Sequence, residues 1–288
     1  MSLGSFFLAV TLAGASPAQD GTARSADGVP IHYTVTGAGE PALVFVHGWA
    51  IDGRYWDAQV PVFARTHRVV TLDLAGHGRS GRERKDWTVA AFGQDVRAVV
   101  DALGLKKVVL VGHSMSGNVI LEAARLLPGR VVGLIPVDTL LDVDQQPKQE
   151  EVAPFLAALR ADYRGTIRGF GQQYLFAEKG DPAFAEKVLG DIFTLPPETS
   201  IAILQGSWAY DPRPVLREIH APIVAVNADR FPTRLDHARQ YAPQFDAVIV
   251  KGVGHYLMRE DPVAFNAQLA RAVAQVLDDA SSLRPHLQ

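Results

Sequence analysis

Short apolar runs that alternate with helical segments constrain the fold of this chain more than any other feature. Between residues 88 and 104 the apolar side chains recur on one helical face, and Gly104 ends the pattern. Strands and helices in this alternation predict an α/β fold with a mostly parallel sheet and helices on both faces. The first four apolar runs after a half-exposed strand at 31–37 are ALVFVHG (42–48), HRVVTLD (67–73), KVVLVGHS (107–114) and VVGLIPVD (131–138).

The alternation stops near residue 140 and resumes near residue 218. The residues between these points are charged, helix-prone and interrupted by prolines. Two further strands, PIVAVNAD (222–229) and AVIVKGVGH (247–255), follow them. We therefore predict one sheet domain in two parts, 19–139 and 218–288, divided by a helical cap at 140–217.

The N-terminus carries a pattern typical of export. An apolar stretch from Phe6 to Ala13 is followed by small residues, with Ser16 and Ala18 spaced as at a cleavage site. The stretch is too short to span a bilayer, and no Lys or Arg precedes it. We predict that residues 1–18 are a signal peptide and that the protein is periplasmic or secreted; without that signal it would be cytoplasmic.

Charge and cysteine content exclude several classes of function. The 288 residues carry a formal net charge of −3, which provides no basic field for nucleic acid or anionic lipid. The chain has no cysteine, so disulfides, thiolate metal sites and a cysteine nucleophile are excluded. We expect no nucleic-acid partner, no membrane span and a small-molecule substrate.

Ser114 lies between a buried strand and a helix in the sequence GHSMSG (112–117). A serine on such a tight turn is held above the sheet edge as a nucleophile, and the strained turn needs small neighbours. Gly112 and Ser116 supply them, although the common pattern has glycine at the second position. A dinucleotide-binding turn is the rival interpretation, but Ser114 would obstruct the pyrophosphate where that motif needs glycine.

A serine nucleophile needs a histidine base, an acid that orients the histidine, and donors for the oxyanion. His255 follows the last apolar strand and is the predicted base. Asp229 ends the neighbouring strand and is the predicted acid, whereas Asp138 lies at the cap entrance, where water can solvate it. The predicted oxyanion donors are the backbone N–H groups of Met115 and Trp49.

Five segments together resemble the α/β-hydrolase family. They are H47-G48-W49, D73-L-A-G-H-G-R-S80, the G-H-S-M-S-G turn, N-A-D229 and G-V-G-H255. The resemblance implies an α/β-hydrolase fold: a mostly parallel eight-stranded sheet with a helical cap after the sixth strand. It also implies the triad Ser114–Asp229–His255, with neither cofactor nor metal. The chain departs from the family pattern at Ser116 and at Ala75, where the family often has proline.

The serine nucleophile selects among the reactions of that family. Dehalogenases and epoxide hydrolases of this fold use an aspartate at the same turn, so Ser114 favours carboxylic ester hydrolysis through an acyl-enzyme. Hydrolysis of C–C bonds, lactones or amides, perhydrolysis, and a slow-turnover ligand sensor such as a plant hormone receptor use the same residues. Aromatic residues of the cap favour small to medium, largely apolar substrates; these residues are Phe155, Tyr163, Phe170, Tyr174, Phe176, Phe193, Trp208 and Tyr210.

Overall fold

A computed structural model describes residues 17–177 and 180–282, and one eight-stranded sheet runs through it. The strands are β1 (Gln19–Arg24), β2 (Pro30–Thr36), β3 (Ala42–Val46), β4 (Val69–Leu72), β5 (Val108–His113), β6 (Val131–Val137), β7 (Ile223–Ala228) and β8 (Phe245–Val250). A 3₁₀ helix spans Gly53–Trp56. The α-helices are α1 (Val60–Phe63), α2 (Val89–Ala102), α3 (Ser116–Leu126), α4 (Gln149–Ala161), α5 (Tyr163–Tyr174), α6 (Pro182–Ile192), α7 (Pro197–Trp208), α8 (Arg213–Glu218), α9 (Leu235–Ala238), α10 (Leu257–Glu260) and α11 (Pro262–Ser282).

The strand order is β1-β2-β4-β3-β5-β6-β7-β8. The pairs β1–β2 and β2–β4 are antiparallel, and every other neighbouring pair is parallel. Strands β3, β5 and β7 are buried along their whole length, as their unbroken apolar runs predict for a sheet covered on both faces. The predicted fold class, an eight-stranded and mostly parallel α/β sheet, is confirmed.

Helices cover both faces of the sheet. Successive side chains of a strand point to opposite faces, so two glycines show which helix packs on each face. A side chain at Gly112 would meet Ile120 of α3, whereas one at Gly133 would meet Val276 of α11. Gly112 of β5 pairs with Pro136 of β6, so these two residues face the same side of the sheet. Pro136 lies three residues after Gly133 on the same strand and therefore faces the opposite side from it. Gly112 and Gly133 thus face opposite sides of the sheet. The long helix α11 therefore packs on one face, and α3 packs on the other together with α2.

The described residues between β6 and β7 form five helices, α4 to α8, and no strand; we call this helical segment the cap. The predicted cap boundaries of 140–217 enclose four of these helices and all but the last residue of α8. Two contacts place the cap at the carboxyl edge of the sheet: the carbonyl of Leu175 meets the loop after β8, and the carbonyl of Ser200 meets the loop after β3.

The predicted signal peptide, 1–18, lies outside the described residues except for its last two positions. Export therefore stays a prediction. Within 17–177 and 180–282, no helix combines the length and the apolar character that a bilayer crossing requires.

Candidate active site

Ser114 lies on a strained turn between β5 and α3. Its φ angle is 56°, in the left-handed region that non-glycine residues seldom occupy, and its N–H donates to the Val137 carbonyl of β6 at 2.9 Å. A Cβ at Gly112 would lie 2.3 Å from the Ser116 carbonyl oxygen, so only glycine fits beside this turn. A half-buried serine in the left-handed region, held by a neighbouring strand at the carboxyl edge of the sheet, is typical of a nucleophile turn.

Ser116, the departure from the family pattern, is fully buried. Its hydroxyl donates to the His47 carbonyl, in the loop that follows β3. A Cβ at Gly48 in that same loop would lie 3.2 Å from the Ser114 Cβ, so the loop passes close to the nucleophile turn. The extra hydroxyl therefore joins the turn to the loop that carries Trp49.

His255 lies in the loop between β8 and α10, and its backbone is held at both ends. Its N–H donates to the Leu175 carbonyl of the cap at 2.8 Å. Its carbonyl accepts a hydrogen bond from Nε2 of His113, also at 2.8 Å. His113 immediately precedes Ser114, so the loop after β8 returns across the sheet edge to the nucleophile turn.

Asp138, rather than Asp229, contacts His255. Oδ2 of Asp138 lies 2.6 Å from Nδ1 of His255, and Oδ1 accepts the Ala228 N–H at 2.9 Å. Asp229 is exposed, and its Oδ1 accepts the Gly252 N–H at 2.9 Å. The prediction that Asp229 orients His255 is therefore wrong.

The path of the loop after β8 explains this error. Gly252, near the start of the loop, still lies beside the end of β7, where Asp229 holds it. By residue 255 the loop has reached β5 and β6, and Asp138 directly follows β6. The predicted acid, Asp229, follows β7, which lies next to β8, whereas His255 lies over β5 and β6, where Asp138 contacts it.

The charge state of Asp138 suits an acid that orients an imidazole. Burial alone would raise the pKa of its carboxyl, but the hydrogen bond and charge of His255, together with the Ala228 N–H, bring the pKa below its usual range. Because this pKa is lowered, the carboxylate is ionised at neutral pH. Its side chain is only 11% exposed, so the charge is largely shielded from water. An ionised Asp138 accepts a hydrogen bond from the Nδ1–H of His255, which leaves Nε2 of His255 as the basic nitrogen.

Two backbone N–H groups are available to an oxyanion. Among the described residues, neither the Trp49 nor the Met115 N–H donates to a protein acceptor. Both residues line the same cavity as Ser114. Next to Trp49, Ala50 has a φ angle of 57°, and its N–H donates to Nε2 of His77 at 3.1 Å. The hydrogen bond from the Ala50 N–H helps to fix the loop in a shape in which the Trp49 N–H has no partner among the described residues. A donor of an oxyanion hole must be free in this way.

The cavity above Ser114 has a volume of about 780 Å³, within the range of small-molecule sites. The sheet contributes Ser114, Asp138 and His255 to its wall. Of the cap aromatics named from the sequence, Phe170, Tyr174, Trp208 and Tyr210 line it, whereas the other four do not. Its polar wall groups include Asn118, Thr139, Asp142, Gln145, Gln146, Ser207 and Arg234.

One group of side chains in the described residues has the spacing of metal ligands, namely Asp142, Asp144 and His237. These side chains already have partners within the protein. Nδ1 of His237 lies 2.7 Å from Asp142, and the Tyr241 hydroxyl donates to Asp144 at 2.6 Å. The group joins the start of the cap to α9 and the residues after it, and the expectation that the protein uses no metal stays a prediction.

Burial of neutral histidines makes the stability of the protein dependent on pH. Burial lowers the pKa of His77 to about 3 and that of His113 to about 3, against about 6.5 in an unfolded chain. Between these values the unfolded chain binds more protons, so the free energy of unfolding falls as the pH is lowered through about 6.5 towards 3. Above about pH 6.5 both rings are neutral in the folded and in the unfolded chain, so their burial no longer makes the free energy of unfolding depend on pH.

Each such histidine is expected to contribute a slope of about 1.4 kcal/mol per pH unit in the middle of that window. We expect His77→Gln to reduce the slope by that amount, measured by urea unfolding at a series of pH values. His220→Gln, at an exposed histidine, is the matched control for the substitution itself. An unchanged slope in His77→Gln would contradict the assignment of a buried neutral ring.

The chain belongs to the α/β-hydrolase family, because residues 43–268 match the model described as "Alpha/beta hydrolase family". The structure of a thermophilic esterase from Thermogutta terrifontis is similar, with a TM-score of 0.78 and 25% identity over 90% of this chain and 99% of that one. A non-heme chloroperoxidase of Streptomyces lividans is 32% identical over 179 residues, 56% of this chain and 64% of that protein. An uncharacterized protein of Mycobacterium tuberculosis is 32% identical over 114 residues, 40% of this chain and 33% of its own length.

Proposed function

We propose that this hydrolase cleaves carboxylic esters through an acyl-enzyme on Ser114, with His255 as base and Asp138 as the acid that orients it. The observation that carries the proposal is the 2.6 Å hydrogen bond between Asp138 and His255 beside the strained Ser114 turn. The similar esterase from Thermogutta terrifontis supports the same chemistry.

In the first half of the reaction the Ser114 Oγ attacks the ester carbonyl carbon while Nε2 of His255 takes the hydroxyl proton. The carbonyl oxygen becomes an oxyanion, which the N–H groups of Trp49 and Met115 stabilise. When the carbon–oxygen bond breaks, the imidazolium gives its proton to the leaving alcohol. Asp138 stabilises the positive charge on the imidazolium throughout.

In the second half a water molecule replaces the alcohol. His255 takes a proton from the water as its oxygen attacks the acyl carbon, and the returning proton regenerates the Ser114 hydroxyl. The products are a carboxylic acid and the enzyme in its starting state. No step needs a metal or an organic cofactor.

The cavity favours an acyl group of small to medium size. Its wall is mostly apolar and aromatic near the cap, from Phe170, Tyr174 and Trp208, so an apolar acyl or aryl group can displace water there. Its polar groups are fewer and fix the orientation of the ester. This supports esters of largely apolar acids as substrates.

A second candidate function is perhydrolysis, which the similarity to the Streptomyces lividans chloroperoxidase favours. In that reaction hydrogen peroxide takes the place of water as the second nucleophile, so the acyl-enzyme yields a peracid. The two functions share every step up to the acyl-enzyme. They differ only in which small molecule attacks it.

A panel of nitrophenyl esters with graded acyl length tests the proposal. We expect linear turnover over many enzyme equivalents, with the highest kcat/KM at short to medium acyl chains. A single burst of one equivalent would instead indicate a slow-turnover ligand sensor. Added hydrogen peroxide, with peracid measured by oxidation of a halide, separates perhydrolysis from hydrolysis, and cleavage of a lactone or amide in preference to all esters would overturn the substrate class.

A further inference from the structure

The cap holds the side chain of Trp49, which lies in the loop after β3 directly before Ala50. The indole N–H of Trp49 donates to the Ser200 carbonyl of α7 at 3.0 Å. Trp49 is 9% exposed and Ser200 is fully buried, so this bond is shielded from water. A main-chain carbonyl of the cap therefore fixes the orientation of Trp49.

A second cap residue fixes Ser200 in turn. The hydroxyl of Tyr163, at the start of α5, lies 2.6 Å from the Ser200 hydroxyl, and the two share a hydrogen bond. The Ser200 N–H donates to the Pro196 carbonyl at 2.9 Å, in the first turn of α7. Neither Tyr163 nor Ser200 lines the cavity, so neither touches a substrate bound there.

The cap also reaches the loop that carries His255. The His255 N–H donates to the Leu175 carbonyl, and a Cβ at Gly254 would lie 2.8 Å from that same oxygen. Residues 175–177, which follow α5, therefore pack tightly against this loop. Through two main-chain carbonyls, the cap contacts both loops that complete the site around Ser114.

We propose that Tyr163 and Ser200 are positioning residues of the reaction: they hold Trp49, and through it the Trp49 backbone N–H, where the oxyanion forms. This inference rests on the proposed function. The geometry needed is strict, because an oxyanion donor works only when it already points at the developing charge. Release of the Trp49 side chain from Ser200 would remove one of the contacts that orient this loop, leaving the hydrogen bond from the Ala50 N–H to His77. Within the described residues the Trp49 N–H has no protein acceptor that could hold it instead.

The first arm of the test measures the hydrogen bond without using activity. The full chain contains four tryptophans, so the Trp49 indole N–H signal can be assigned in a nitrogen-15 spectrum by its loss in Trp49→Phe. We expect this signal to shift and its hydrogen exchange to quicken in Tyr163→Phe and in Ser200→Ala. An unchanged signal in both variants would overturn the proposal, whatever the enzyme hydrolyses.

The second arm measures catalysis on phenyl acetate. Tyr163→Phe and Ser200→Ala should each lower kcat by about threefold to tenfold with KM unchanged, and the double variant should lower it no further, because both remove one hydrogen bond. Trp49→Phe, which loses the indole donor itself, should lower kcat by about tenfold or more. Tyr241→Phe is the matched control, since its hydroxyl donates to Asp144 outside the cavity, and it should retain the kcat of the parent enzyme.

Affinity for phenylboronic acid separates positioning from loss of structure. The acid forms a tetrahedral adduct with the serine oxygen, so its inhibition constant should rise by the same factor as kcat falls, while KM stays constant. Equal losses in kcat, KM and thermal stability would mean that the two residues only support the fold, and would overturn the inference. Absence of ester turnover in the unmodified enzyme would overturn the proposed function instead, and the indole signal would still decide whether the cap holds Trp49.

Discussion

Ser114→Ala is expected to lower kcat for nitrophenyl ester hydrolysis by about a millionfold, because the members of a serine triad act as one unit and the loss of the nucleophile removes the acyl-enzyme route. The fold should survive, since the substitution removes a single hydroxyl from a turn held by its backbone N–H. Steady-state kinetics on the purified variant, with circular dichroism to check folding, makes the measurement. A fluorophosphonate probe should add its mass to the parent enzyme and not to the variant.

Ser116→Ala is the matched control for this result. It removes a hydroxyl two residues away, which donates to the His47 carbonyl rather than to a substrate. We expect its kcat to stay within about tenfold of the parent, since the oxyanion loop loses one of several contacts. A loss of only a few-fold in Ser114→Ala, or full labelling of that variant by the probe, would exclude Ser114 as the nucleophile.

The sheet could be predicted from the sequence because its central strands are almost entirely apolar. A strand buried on both faces reads as a nearly continuous apolar run, and β3, β5 and β7 have one, with polar residues only at His113 and Asn227 near the ends of β5 and β7. Strand β1 carries no such signal: its sequence is QDGTAR, and only Ala23 is buried. It exists because its backbone pairs with β2 over six residues, a contact that no local pattern records.

The positions of Ser114 and His255 could be predicted because each follows a recognisable strand at the carboxyl edge of a parallel sheet, where loops from different strands converge. The carboxylate that contacts His255 could not be chosen on this basis, because Asp138 and Asp229 both directly follow strands at the same edge. What separates them is the path of residues 251–255, which crosses from β8 to β5 before the imidazole is presented. Loop paths depend on packing between distant segments, and the sequence pattern holds no record of them.

The contacts between the cap and the loops after β3 and β8 could not be predicted from the sequence either. The acceptors on Leu175 and Ser200 are backbone carbonyls, which every residue possesses, so no residue type marks them. The Trp49 side chain did carry a signal, since a buried indole N–H needs an acceptor. Which acceptor it finds is decided by how the cap folds over the sheet.

Asp138→Asn is expected to lower kcat by up to about 10⁴-fold, whereas Asp229→Asn should change it by less than about tenfold. The asparagine keeps the shape of the side chain, but its amide can donate to Nδ1 of His255 and so favours the tautomer that carries the proton on Nε2. That tautomer cannot take a proton from Ser114. It also leaves the imidazolium without the carboxylate that now lies 2.6 Å away.

Asp229→Asn is the matched control because the same change is made at the end of the next strand. Its Oδ1 accepts the Gly252 N–H, and an asparagine oxygen can keep that bond, so the loop after β8 should hold its path. Both variants are measured by kcat on a nitrophenyl ester, with thermal unfolding to confirm that each is folded. If Asp229→Asn were crippling and Asp138→Asn mild, the acid would be the residue that the sequence favoured, and the 2.6 Å contact would have no part in catalysis. Equal and large losses in both would instead mean that the loop carrying His255, rather than either carboxylate alone, limits the reaction.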